Sequence, residues 1–312
     1  MHFKIGMSRK YVNMQKYRSL VLPIAIIVGL LFHQWIAILK PMVPFLIFFI
    51  LLLNFSSVEI RKLRVKPLHL WLLLFQVVVS LGGYLALLPF DETLAQGVLI
   101  GILSPVAASV VVVACMLGAD RATITTYSLV GNVGVAIVAP IYFSFIGTNV
   151  SMPFGQSLLM ILSKIAPTIV LPLAIIIVLQ LVASKVNDFI AQYKSWAFYL
   201  WAVALMVTIG QTIDFIFIHG KGNESTIIAL SIASVLGCAL QFSVGKAIGK
   251  HYGDKVAGGQ GLGQRNTALS IWMASMYLNP LASIFPAMYS IWQNLYNSFQ
   301  LWQHDRKLRE KM

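Results

Sequence analysis

Two short runs inside otherwise apolar sequence hold the residue types that could recognise a charged small molecule. The first is Gly-Ile-Leu-Ser-Pro at 101–105, closed by Ser109. The second is Gly-Gly-Gln-Gly-Leu-Gly-Gln-Arg-Asn at 258–266, followed by Thr267. Ser104, Pro105 and Ser109 in one run, with Gly263, Gln264, Arg265, Asn266 and Thr267 in the other, offer hydroxyls, amides, free backbone and one guanidinium. Hydrocarbon cannot satisfy bare backbone groups, so such interruptions survive only against protein or a watery cavity. A helix that stops and restarts exposes partial charges, positive at its amino end and negative at its carboxyl end. The chemistry this predicts is ion and anion recognition, not bond-making.

Arg265 carries the sharpest expectation. Arginine stays charged in proteins, and its planar fork suits a carboxylate or sulfonate. A charge at mid-membrane costs at least about 2.5–3.5 kcal/mol and by default marks a functional site. The competing reading is a structural charge bonded to the carbonyls of the opposite break. The nearest acidic candidates by topology are Asp214 and Asp254. For Gln264, Asn266 and Thr267 the plain alternative is capping of the restarted helix; for Ser104 and Ser109 it is back-bonding within their own helix. Ser128 and Asn132 lie four apart and share one helical face, with close helix packing at Gly131 and Gly134 as the alternative. Gln76 and Asn54 are lone polar residues in apolar runs and candidates for a cavity wall.

Catalysis finds no matching set. No carboxylate pair, H-E-x-x-H helix or serine with a base in reach occurs inside the apolar runs. His33, His69, His219 and His251 are scattered, and Cys115 and Cys238 fall in different runs. No metal site or cofactor is expected, and the choice of a coupling ion, H+ or Na+, stays open.

The elements that must position these residues are membrane helices. The chain has 312 residues, 58% hydrophobic and 11% charged, with mean hydropathy +0.81; soluble proteins carry about 25% charged residues. Ten apolar runs near bilayer-spanning length fall at 19–39, 41–57, 67–88, 93–117, 121–147, 158–184, 193–216, 224–249, 253–278 and 280–302. They are continuously apolar, which excludes a β-barrel. The net charge of +13 gathers on one side under the positive-inside rule, so it reports orientation and anionic lipid contact rather than nucleic acid. The expectation is a multi-pass protein of the plasma (inner) membrane, with both termini cytoplasmic and lipids and a small organic anion as partners. Residues 1–18 read as a basic cytoplasmic segment, 19–147 and 148–303 as two five-helix repeats, and 304–312 as a basic tail. Five spans per half force opposite orientations, and spans four and nine, the broken pair, then correspond. Inverted repeats of this kind place substrate between broken helices at mid-membrane.

The chain resembles the bile acid:sodium symporter family. The resemblance runs from about residue 20 to 303 and is carried by four stretches. They are Pro-Phe-Leu-Ile-Phe-Phe-Ile-Leu-Leu-Leu-Asn-Phe at 44–55 with the basic loop 61–67; the Ser104-Pro105 break; Val138-Ala139-Pro140; and Gly261-Leu262-Gly263-Gln264-Arg265-Asn266 leading to Pro286 and Gln293-Asn294. It implies an all-α fold of ten transmembrane helices in inverted repeats, with helices 4 and 9 broken and crossing. It also implies a core domain (spans 3–5 and 8–10), a panel domain (spans 1, 2, 6 and 7) and secondary transport of organic anions. The departures point away from sodium. Where sodium-binding relatives read Pro-Gly-Gly-Thr-x-Ser-Asn, this chain has Pro105-Val106-Ala107-Ala108-Ser109-Val110-Val111. Where they read Glu-x-Gly-x-Gln-Asn, it has Gly261, Gly263, Arg265 and Asn266. Of two oxygen ligands on the fifth span, Ile124 replaces one and Ser128 keeps the other, while Gln76 matches a further ligand position only with a gap. The resemblance therefore implies an organic-anion transporter without sodium coupling, in which Arg265 does the electrostatic work of the missing cation. The alternatives are a sodium symporter with shifted ligands and a non-transporting sensor or assembly protein on the same fold.

Overall fold

A computed structural model describes residues 21–310 apart from 22, 59, 147–152, 154, 157, 158, 161, 162, 164–169, 220 and 221. The expected amino-terminal segment 1–18 and residues 158, 161, 162 and 164–169 of the sixth expected span lie outside the described residues. Among those described the chain is helical, without strands. The helices are α1 (His33–Ala37), α2 (Val43–Phe55), α3 (Pro67–Leu87), α4 (Glu92–Leu103), α5 (Val110–Met116), α6 (Arg121–Ile146) and α7 (Leu171–Val182). They continue as α8 (Ser184–Gln192), α9 (Trp196–His219), α10 (Glu224–His251), α11 (Lys255–Gly263), α12 (Thr267–Tyr277) and α13 (Ile284–Glu310).

The starts of these helices are written locally. Pro67 occupies the first turn of α3, where a missing N–H is harmless, and the Lys66 amide donates to His69 Nδ1 at 3.1 Å. Asp91 caps α4 by accepting from the Leu94 amide at 2.7 Å. Asp254 caps α11 by accepting from the Ala257 amide at 2.8 Å, and Asp120 accepts from the Thr123 amide at 2.9 Å at the start of α6. Each carboxylate satisfies an otherwise orphaned amide at a helix amino end. Several of the few acids in the chain are therefore committed to loops and caps.

Among the described residues, four helices have the length and apolarity to cross a membrane: Pro67–Leu87, Arg121–Ile146, Trp196–Ile218 and Glu224–His251. They exceed the roughly 20 residues a bilayer requires. Large apolar side chains such as Trp35, Phe45, Trp71, Phe145 and Ile232 face outward, where a soluble protein would carry charge. The chain is membrane-embedded. The fourth and ninth expected spans are each two helices: α4 and α5 are separated at 104–109, and α11 and α12 at 264–266.

Helix also extends beyond the expected spans in two places. The basic tail expected at 304–312 continues α13 to Glu310, because Arg306 pairs with Glu310 at 2.8 Å and lies over the Trp302 ring. Between the sixth and seventh expected spans runs the short helix α8, whose Asn187 side chain donates to the Ser56 carbonyl at 3.1 Å.

The broken helices are packed tightly from outside. Helix α11 lies against α10 through facing glycines. A Cβ on Gly258 would strike the Gly245 carbonyl and the Gly249 backbone, so backbone meets backbone along this seam. On the other side Gly131 of α6 admits Val106, whose Cγ2 would lie 2.8 Å from an added Cβ.

Candidate functional site: the crossing of the two breaks

The two interruptions meet and pair. Val106 and Arg265 form an isolated antiparallel bridge. The Ala107 amide donates to the Gln264 carbonyl at 3.1 Å, and the Asn266 amide to the Pro105 carbonyl at 2.7 Å. Each break thus supplies backbone partners that the other lost when its helix stopped.

Side chains complete the accounting. Gln76 of α3 donates from Nε2 to the Leu103 and Ser104 carbonyls, both at 2.7 Å, and its Oε1 accepts from the Tyr127 hydroxyl at 3.3 Å. Asn132 donates to the Val106 carbonyl at 3.3 Å and to the Ser128 carbonyl at 2.6 Å. Gln293 of α13 accepts from the Arg265 amide at 2.8 Å and donates to the Arg265 carbonyl at 3.1 Å. Tyr289 donates to the Gly263 carbonyl at 2.8 Å. Three helices, α3, α6 and α13, send side chains to these few residues of irregular backbone.

The expected site residues divide by role. Asn266 is the cap of α12, accepting from the Leu269 amide at 3.2 Å. Gln264 instead bridges the breaks, accepting from the Ser109 hydroxyl at 3.2 Å and donating to Gln260 at 2.8 Å. Ser104 back-bonds to the Ile100 carbonyl at 2.7 Å and also accepts from Ser270 at 2.6 Å. Ser109 does not back-bond but reaches across the crossing. Ser128 takes part through its carbonyl, and Thr267 lines the adjoining cavity. Asn54 belongs elsewhere: it accepts from Arg121 at 3.2 Å.

Arg265 is 1% exposed. Its Nε donates to Gln241 Oε1 at 2.8 Å, and its Nη1 to the Ser104 carbonyl at 3.1 Å. The second contact is the bond to the opposite break expected of a structural charge. Nη2 is buried with no hydrogen-bond partner among the described residues. Neither acid named from topology reaches the guanidinium: Asp214 lies 3.7 Å from His33, and Asp254 is occupied as a cap. The cation is held by neutral dipoles, at the carboxyl end of α4 where the partial charge is negative.

Three of the positions that match sodium ligands in the resemblance carry hydrocarbon. Val110, Val111 and Ile124 are fully buried in one apolar cluster with Leu72, Val106, Tyr127 and Leu262. The Tyr127 ring lies on Gly261, where an added Cβ would approach Cδ1 to 2.7 Å. Hard cations require oxygen ligands, and this cluster offers hydrocarbon.

Beside the crossing is a cavity of about 70 Å³. One wall is polar: Ser109, Gln264, Asn266, Thr267, Gln293 and Asn294, with Arg265 among them. The other is largely apolar, from Val43, Ile47 and Ile50 of α2 and Trp201, Ala204 and Leu205 of α9. Asn266, Thr267 and Ala268 belong to the first turn of α12, whose partial positive charge favours an anion. The arrangement suits a molecule with a negative head and an apolar body.

Gln241, Tyr127, Tyr289 and Gln260 were not anticipated. Their only trace in the sequence is polarity within apolar runs, such as Gln260 four residues before Gln264. No family model matches the chain, and no curated protein matches it.

Proposed function

We propose that the chain is a secondary transporter of organic anions, of the carboxylate or sulfonate class, working by alternating access without sodium coupling. In this reading it has ten spans in two inverted repeats and is a divergent relative of the bile acid:sodium symporter family. It sits in the plasma (inner) membrane with both termini cytoplasmic. The antiparallel pairing of the two breaks supports the inverted repeat, since a local two-fold axis generates that pairing. The placement of the cavity between the crossing and helices α2 and α9 supports a division into core and panel.

The observation that carries the reading is the guanidinium of Arg265. It is buried, bound to the opposite break and without a carboxylate partner among the described residues. A fixed cation there does what a bound metal ion would do, drawing an anion to the amino end of α12 beside it. Catalysis is not part of the reading, because the polar groups at the crossing are amides and hydroxyls engaged with backbone.

The test is uptake of labelled organic anions by proteoliposomes in sodium and in choline buffer. Equal uptake is expected, and strict sodium dependence overturns the reading. Arg265→Gln should weaken anion binding by about tenfold or more, as expected for a lost charge-assisted contact. Arg64→Gln, in an exposed loop, should leave it unchanged.

A further inference from the structure

We infer that a groove between α10 and α13 binds an anionic phospholipid, with an acyl chain along the groove and the phosphate on Lys246. The groove shares no lining residue with the cavity at the crossing, and the inference stands independently of the transport reading.

The groove has a volume of about 340 Å³ and is walled by Cys238, Ala239 and Phe242 of α10 and by Trp292, Leu295 and Tyr296 of α13. Small-molecule sites span roughly 300–1,000 Å³. Its rim residues Val235 and Leu295 are exposed, and α10 is one of the helices fit to cross a membrane. The groove therefore opens on hydrocarbon, and an acyl chain is what it meets. Its walls are fixed from behind. Trp292 Nε1 donates to Ser234 Oγ at 3.0 Å, and the Phe242 ring stands edge-on to Tyr296 with centroids 4.6 Å apart. A groove already shaped does not have to be ordered by its ligand.

The feature that selects among lipids is Lys246. It stands five residues before the end of α10, about 7.5 Å of helix. A charge within a span is costly and by default marks a functional site. Lysines near helix ends commonly extend toward water, whereas Lys246 is held sideways. Its stem lies over Gly259 of α11, where an added Cβ would approach Cγ to 2.6 Å. Its Nζ donates to the Tyr296 hydroxyl at 2.6 Å and lies 4.8 Å from the centre of that ring. Both partners are neutral. The ion pairs among the described residues lie elsewhere, at His33–Asp214, Lys66–Asp120 and Arg306–Glu310.

An ammonium carries three donors, and Tyr296 accepts from one. The others are available to phosphate oxygens. Lys250, exposed one turn further on, adds a second cation on the same helical face. Tyr296 belongs to both parts, as a wall of the groove and as the rest for the cation, so tail and headgroup are joined at the spacing of one lipid. A zwitterionic headgroup would bring its own cation toward the two lysines, which disfavours it against an anionic one.

The experiment titrates the full chain, stripped of lipid in detergent, with dioleoyl phosphatidylglycerol or dioleoyl phosphatidylcholine. Bound lipid is counted by native mass spectrometry. The first phosphatidylglycerol is expected to bind about fivefold or more tightly than phosphatidylcholine, the worth of one lysine beside an anionic headgroup. Lys246→Gln should remove the difference, and Arg64→Gln should keep it. Ala239→Phe, which sets a ring in the groove, should weaken both lipids. Equal affinity for the two lipids, or a preference that survives Lys246→Gln, overturns the inference. Unchanged binding to Ala239→Phe overturns it too, because the chain then lies elsewhere. Glycerol phosphate without acyl chains should not compete, and competition at equal concentration refutes the role of the groove. If Lys246→Gln fails to fold, the two lipids on the unaltered chain and on Ala239→Phe decide.

Discussion

Arg265 and Gln241 meet at 2.8 Å in the buried crossing, a permanent cation resting on a neutral amide oxygen. The pairing is incomplete by one unit of charge, and under the transport proposal that deficit is where an anion acts. Gln241→Glu would place a carboxylate at nearly the same position. Opposite charges at such range attract by about 6 kcal/mol at an effective dielectric near 20. The expected outcome is a higher melting temperature together with anion binding weakened by about tenfold or more. Thermal unfolding and binding measured on one preparation check both; unchanged anion affinity contradicts the assignment.

Gln76 closes the carboxyl end of α4 by donating to two consecutive carbonyls. Gln76→Leu keeps the volume and leaves those acceptors one donor short. A buried unsatisfied group costs about 1–3 kcal/mol. The variant should melt several degrees lower in detergent, as differential scanning fluorimetry would read.

The glycine seam between α10 and α11 predicts a contrast. Gly258→Ala drives a methyl into the Gly245 carbonyl, backbone that cannot rotate away. Overpacking of this kind costs about 1–3 kcal/mol and sometimes more. Gly82→Ala, with nothing within 4 Å of the new methyl, should be neutral or stabilising by up to about 1 kcal/mol through helix propensity. Thermal melts should show Gly258→Ala lowered and Gly82→Ala unchanged or raised.

Asp120 supplies a pH signature outside the spans. Burial pushes its carboxyl upward, but the Thr123 hydroxyl and amide outweigh this with Lys66 and the Ala122 amide, and the net shift is downward. A carboxyl lowered on folding stabilises the protein above its unfolded pKa, about 3.9, and loses that effect as pH falls through the folded value. The stability difference between the unaltered chain and Asp120→Asn should be constant above about pH 5 and shrink toward pH 3. Paired melts across that range test it, and a difference independent of pH refutes it.

Much of the scaffold was legible because its signals are local. Pro67, Asp120 and Asn223 stand just before the apolar runs they open, so α3, α6 and α10 begin where the sequence places them. The first break was legible for the same reason at Ser104-Pro105, whereas the glycine run expected to interrupt the ninth span is helical through Gly263 and the break falls at 264–266. What stayed hidden depends on which faces meet. Nothing near Gly261 in the sequence shows that the Tyr127 ring fills its missing side chain. Nothing near Gln241, a lone amide in the 28-residue helix α10, shows that it holds a guanidinium. That the basic tail is helical to Glu310 rests on a side-chain pairing, Arg306 with Glu310 one turn on.

The pairing of Val106 with Arg265 has a consequence for how the chain is made. The Pro105 carbonyl finds its amide on Asn266, which leaves the ribosome only after more than half the chain has been synthesised. Until then the first half holds an acceptor in lipid with nothing to receive. The two halves thus complete each other's backbone pairing, and neither break is satisfied by its own half alone.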